Sequence, residues 1–223
     1  MQHADTPVSS SSQSSADDHP FAAFDVVVVA TSLGGREALE HLLEPLAVDF
    51  PAPIVVVQHL DAQSPSYLPE MLARRTRLAV KVAEAGDALC PSTVYVAAPA
   101  RHLLIGPDRR CLLSDEPPVR FSRPSADPLF ASAAELFGAR TLAVILTGRL
   151  SDGTVGAAAI RRAGGVVLAQ DPATCRAPEM PEAAIRQGLV HVVLPPEALG
   201  AALNALVAVR GARALFGLDS RAA

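Results

Sequence analysis

The stretch from Asp25 to Arg36, DVVVVATSLGGR, constrains this chain more than any other. Four consecutive valines are too short and too β-branched for an isolated helix. They are also too continuously apolar for a strand with one wet face, so they predict a strand buried on both sides, as in a parallel sheet. The strand runs into Thr31, Ser32, Leu33, Gly34 and Gly35, and then into a helical pattern with apolar Ala38, Leu39, Leu42, Leu43 and Leu46. Ser32 therefore falls on a strand-to-helix turn. In open α/β sheets this edge binds ligands, because helix N-termini and free backbone N–H groups converge there. A serine at that point can be a helix cap, a phosphate ligand or a nucleophile.

Similar units recur along the chain. Pro53 to Gln58 predicts a second buried strand ending at His59, followed by a Pro-punctuated loop, DAQSPSY. A helix is expected over Leu68 to Thr76, with Met71 and Leu72 inward and Arg74 and Arg75 outward. From Lys81 to Leu113 short apolar segments separated by Gly, Pro and Asp read as strands, the later ones as an antiparallel hairpin around Gly106 to Arg109. The proline-rich loop EPPVRFSRPSADP gives way to a helix over Leu129 to Phe137, closed by Gly138. Strands at Thr141–Leu146, Val166–Ala169 and HVVL alternate with helices at Ala157–Ala163, Glu182–Gln187 and Pro196–Ala208. The expected fold class is α/β, a doubly wound, mainly parallel sheet with helices on both faces and a small antiparallel hairpin.

Composition narrows the function classes. In 223 residues, a hydrophobic share of 50% supplies one sizeable core, and 4% aromatic content with no Trp makes it aliphatic. A net charge of -4 offers no basic face for a phosphate backbone, so nucleic acid is not an expected partner. Three scattered cysteines, Cys90, Cys111 and Cys175, form neither a disulfide framework nor a zinc site. With no apolar run of the roughly 18 to 20 residues a membrane span needs, and no secretion signal, the expectation is a cytoplasmic protein without direct membrane insertion. Residues 1–20, rich in Ser, Asp and Gln, are expected to be a disordered polar tail. A single domain is expected over 21–209, followed by a C-terminal extension, 210–223.

Parallel strands end on one edge, so residues just beyond them can meet. That rule selects Ser32, His59, Asp152 in the loop TGRLSDGTVG, and Asp171. Serine, histidine and carboxylate are the ingredients of nucleophilic catalysis: the imidazole takes the serine proton, and the carboxylate fixes its tautomer. Gly34, Gly35, Gly148 and Gly153 allow backbone amides to approach an oxyanion. Each residue also has a plainer role, Ser32 as cap or phosphate ligand, His59 as a hydrogen-bonded core group and Asp152 as a turn or helix-cap residue. The nucleophile elbow is half present, with Gly34 after the serine but Ala30 before it. His102 is a second candidate base, ranked below His59, and Arg123 a candidate anion anchor. Cys175 has no evident activating partner.

ATSLGG, VVVQHL, VYVAAPARHL, RPSADPLF, ILTGRLSDGTVGA, LAQDPATC and EMPEAAI, in this order, resemble the catalytic domain of the chemotaxis protein-glutamate methylesterases, the CheB family. The resemblance spans Phe21 to about Val209. It implies hydrolysis of glutamate methyl esters, and deamidation of glutamines, on the cytoplasmic domains of methyl-accepting chemotaxis proteins. It also implies a triad of Ser32, His59 and Asp152 with no metal or organic cofactor. The chain departs from the family pattern at Leu33, where Thr is usual, at Arg149 and Leu150, where Met and Gly are usual, and at Glu179, where Gly is usual. A cationic Arg149 facing the cleft would favour an acidic receptor segment. Family members commonly carry a phosphorylatable receiver domain ahead of the esterase. The short polar tail here leads to the expectation of constitutive activity or control by a separate regulatory protein. The alternatives are a catalytically weak or inactive regulatory or binding module of a chemosensory pathway, and a nucleotide or phosphate binder using the Thr31 to Gly35 turn. The second lacks both the dinucleotide glycine pattern and a phosphate-loop lysine.

Overall fold

A computed structural model describes residues 22–59 and 67–209. The expected polar tail, most of the loop after His59 and the C-terminal extension lie outside the described residues. The four valines belong to β1 (Val26–Thr31), every residue of which is buried. Their alternation explains the unbroken apolar run. Val27 and Val29 pack on one face of the sheet with Leu39, Leu42, Leu203 and Leu206, while Val26 and Val28 face Leu129, Phe130 and Ile160 on the other. Each fully buried valine is worth about 1.5–3 kcal/mol over an exposed one, so a polar residue on either face is excluded.

Six further strands join β1: β2 (Ile54–Gln58), β3 (Ala79–Val82), β4 (Thr93–Val96), β7 (Thr141–Ile145), β8 (Val166–Gln170) and β9 (Val192–Leu194). All neighbours are parallel and the order is β3-β4-β2-β1-β7-β8-β9. The two remaining strands, β5 (His102–Ile105) and β6 (Cys111–Ser114), form the antiparallel hairpin. Helices α1 (Gly35–Leu43), α2 (Leu68–Ala73) and α6 (Pro196–Ala208) contribute to the core on one face. Helices α3 (Ala126–Phe137), α4 (Thr154–Arg162) and α5 (Glu179–Arg186) pack on the other with the hairpin. The doubly wound fold is therefore present. The chain winds outward from β1 through β2 and then crosses to β7, so the switch point lies between β1 and β7.

Several details differ from expectation. Met71 is 37% exposed while Leu72 is fully buried, because a helix of only six residues turns one narrow face inward. The third helix begins at Ala126 rather than Leu129: Pro128 lies in its first turn, where no intrahelical N–H is needed. The helices α4 and α5 likewise start three residues early, their first turns carrying Gly156 and Pro181, residues that punctuate a helical pattern in sequence.

Two helices cross closely beside the switch point. A Cβ on Gly156 of α4 would lie under 3.0 Å from Phe130 Cβ and 2.9 Å from the Asp127 carbonyl of α3. Glycine there lets the first turns of the two helices come together.

Candidate active site

Ser32 follows β1 and its N–H donates to the Thr147 carbonyl at 3.0 Å, across the switch point. It is not a helix cap. The N-cap of α1 is Gly34, at φ 84, without a side-chain cap bond. The Ser32 carbonyl accepts from Gln58 Nε2 at 2.7 Å and from the Gly35 N–H at 2.9 Å, and Gln58 Nε2 also reaches the His59 carbonyl at 3.2 Å. Gln58, last in β2, thus braces the Ser32 turn and the histidine together. On the β7 side, Thr31 Oγ1 donates to the Thr147 carbonyl at 3.0 Å, and Thr147 Oγ1 bonds the Leu33 and Ala177 carbonyls. Gln170, last in β8, accepts from the Thr147 N–H at 2.9 Å. These amides were legible in one respect, since a single polar residue closing an apolar run, PIVVVQ or VVLAQ, is a strand-end signal.

Ser32 and His59 line one cleft of about 380 Å³, with Leu33, Gly34, Gly35, Arg36, Glu37, Gln58 and Arg176. The first turn of α1 forms part of its wall, and helix first turns leave N–H groups without intrahelical partners. That is an electropositive rim suited to a developing oxyanion. His59 Nε2 contacts Asp152 Oδ2 at 2.5 Å. An ionised carboxylate only accepts, so Nε2 carries the hydrogen and Nδ1 is left with the lone pair.

Asp152 is 3% exposed and saturated. Oδ2 also accepts from the Ala126 N–H at 2.7 Å; Oδ1 accepts from Ser125 Oγ at 2.7 Å, the Gly153 N–H at 2.9 Å and the Asp127 N–H at 3.4 Å. Burial pushes its carboxyl upward, but the His59 hydrogen bond, the Ala126 N–H, the His59 charge and the Ser125 hydroxyl together hold it below the usual carboxylate range. Asp152 lies in a turn but does not cap the helix it precedes: Gly153, at φ 84, is the N-cap of α4, without a side-chain cap bond. Asp152 binds instead the first turn of α3. In return Asp127 Oδ1, from that first turn, accepts from the Gly156 N–H of α4 at 2.9 Å.

The remaining candidates take other roles. Asp171 caps a short 3-10 turn at residues 172–174. Arg123 does not present a free guanidinium to an anion, because Nη1 donates to the Asp115 and Glu116 carbonyls. His102 is 1% exposed with both ring nitrogens engaged, by the Pro117 carbonyl and the Ser125 N–H, and is no base. Burial pushes the Cys175 thiol up to about 11, which keeps it a poor nucleophile. Arg149 is exposed but is not among the residues lining the cleft, whereas Arg176 and Arg36 are. Leu150 is 69% exposed with φ 66, a left-handed conformation that favours glycine.

A family model described as CheB methylesterase matches residues 27–203. The chain belongs to the CheB methylesterase family. CheB-family relatives include a protein-glutamate methylesterase/protein-glutamine glutaminase 2 of Anaeromyxobacter dehalogenans, 45% identical over 185 residues, covering 83% of this chain and 54% of the relative. Another is the protein-glutamate methylesterase FrzG of Myxococcus xanthus, 40% identical, covering 86% of this chain and 57% of the relative. The chain thus spans about half the length of these curated CheB relatives. The crystal structure of the Thermotoga maritima CheB methylesterase catalytic domain superposes with a TM-score of 0.79 at 36% identity, covering 82% of this chain and 99% of that one. Among the described residues no helix is long and apolar enough to cross a membrane.

Proposed function

We propose that this chain hydrolyses glutamate methyl esters, and deamidates glutamines, on methylated cytoplasmic domains of chemoreceptors, with Ser32, His59 and Asp152 as its triad. The observation that carries the reading is a serine and a histidine sharing one cleft at the switch point, the histidine paired at 2.5 Å with a buried, ionised aspartate. The names of the family relatives supply the substrate chemistry.

His59 Nδ1 takes the Ser32 proton as Oγ attacks the ester carbonyl. Asp152 stabilises the imidazolium through Nε2. The tetrahedral oxyanion forms against backbone N–H groups at the start of α1. Its collapse breaks the bond to methoxide, which takes the proton from His59 and leaves as methanol. A glutamyl ester on Ser32 remains. Water, deprotonated by the same nitrogen, adds to this ester, and Ser32 Oγ leaves with the proton, freeing the glutamate. Glutamine follows the same steps with ammonia as the leaving group.

The test is methanol release from a receptor cytoplasmic domain methylated on glutamate. Ser32→Ala is expected to lower turnover by about 10⁴ or more, since triad members act as a unit. No release from several such receptors would transfer the weight to a regulatory module that keeps the fold without the chemistry, and release that survives Ser32→Ala would overturn Ser32 as the nucleophile.

A further inference from the structure

We propose that Ser125 is a positioning residue of the site, its hydroxyl clamping Asp152 in the plane that meets His59, with His102 holding Ser125 in place. The inference rests on the triad reading above and adds to it a group from outside the strand ends.

Ser125 is fully buried and sits at the N-cap of α3. A serine there ordinarily accepts from the helix, and Ser125 Oγ does accept from the Asp127 N–H, at 3.3 Å. Its own hydrogen, however, goes to Asp152 Oδ1 over the shorter distance of 2.7 Å. The Ala126 N–H holds the other carboxylate oxygen at 2.7 Å, so two consecutive residues grip both oxygens of the acid. A carboxylate gripped at both oxygens cannot rotate about its Cβ–Cγ bond, and Oδ2 stays aimed at His59 Nε2.

His102 explains why Ser125 stays put. Its Nε2 faces the Pro117 carbonyl at 3.1 Å, which only accepts, so that nitrogen bears the hydrogen. Nδ1 is then the acceptor of the Ser125 N–H, at 3.2 Å. This single neutral tautomer ties β5 to both ends of the proline-rich loop. The sequence could not reveal it, because the loop has no periodicity and its two anchors are far from Asp152 in the chain. The charged and titratable groups around Asp152 are His59 from the β2 end, Asp127 from α3 with Arg120 at 3.6 Å from its Oδ2, and His102 behind Ser125.

The test uses two variants. Ser125→Gly deletes the hydroxyl while keeping a residue that is itself favoured at an N-cap, and Ser125→Thr restores the hydroxyl. Ser125→Gly is expected to lower kcat for methanol release by about 10- to 100-fold with KM unchanged, the loss of one hydrogen bond to a charged group. It should also raise the acid limb of the kcat–pH profile, as Asp152 loses a donor to its ionised form. Ser125→Thr should recover most of both. Independently of turnover, the proton NMR resonance of the His59 Nε2–H facing Asp152 should shift in Ser125→Gly and return in Ser125→Thr. If that resonance shifts and the wild type releases no methanol, the clamp stands and the esterase reading fails. A folded Ser125→Gly with kcat within twofold and the resonance unmoved overturns the clamp.

Discussion

Gly35→Ala probes how tightly the Ser32 turn is built. An added methyl would lie under 3.0 Å from Thr31 Oγ1 and Gln58 Oε1 and 2.8 Å from Thr31 Cγ2, where ordinary contact begins at 3.4 Å. Neither polar atom belongs to a free side chain. Thr31 Oγ1 ties β1 to the end of β7 through the Thr147 carbonyl, and Gln58 holds the Ser32 and His59 carbonyls. Making room therefore costs strain of about 1–3 kcal/mol. It also disrupts one of these buried bonds, at about 1–3 kcal/mol for the group left unpaired. The expected destabilisation is about 2–6 kcal/mol in urea unfolding. A shift of roughly 1 Å in the Ser32 backbone should lower methanol release about 100-fold. Gly86→Ala is the control: at φ 88 with nothing within 4 Å of the added methyl, it reports the left-handed backbone cost alone, about 1–2 kcal/mol. If Gly35→Ala proves no more destabilising than Gly86→Ala and keeps turnover within twofold, the close-packing argument is wrong.

The two carboxylates between α3 and α4 should show opposite pH signatures. Burial, with the Asp152 charge adding to it, raises the Asp127 carboxyl despite the Gly156 N–H and Arg120. Its contribution is therefore full below the unfolded value of about 3.9 and is lost as pH rises through the folded one, so Asp127→Asn should gain melting temperature relative to wild type as pH rises above about 3.9. Asp152 is held low, so its contribution is present above about 3.9 and lost as pH falls through the folded value; Asp152→Asn should compare worst with wild type above about pH 5 and close the gap on acidification. At Leu150, φ 66 disfavours any side chain, and Leu150→Gly should hold or raise stability by up to about 1 kcal/mol in thermal unfolding, reversing the usual penalty for glycine.

The sheet and the strand-end residues were legible because both follow from local pattern. An unbroken valine run can only be buried on two faces, and every parallel strand delivers its last residues to one edge, which is how Ser32, His59 and Asp152 could be selected without coordinates. What escaped depends on distant chain. Ser125 lies in a loop whose prolines erase periodicity, and its partners are His102 on the hairpin and Asp152 after β7. The sequence ranked His102 as a spare base, whereas its burial and two engaged nitrogens make it a strut. Arg123 looked available for an anion because nothing local indicates that two backbone carbonyls occupy it. Arg149 drew attention through its departure from the family pattern, yet Arg36 and Arg176, unremarkable in sequence, are the arginines that line the cleft, Arg176 packing beside Gly34.

The exchange of carboxylates between α3 and α4 ties chemistry to folding. Asp152 is seated by the start of α3, and Asp127 in turn satisfies the start of α4. If either helix detaches, one acid loses its donors and the other helix loses its cap, so the pair comes apart together rather than by stages. A molecule opened locally at this point no longer holds an aspartate behind His59. Hydrogen exchange at the Ala126 and Gly156 amides would then report the same opening event, and the population of that open form sets the fraction of molecules in which His59 lacks its carboxylate.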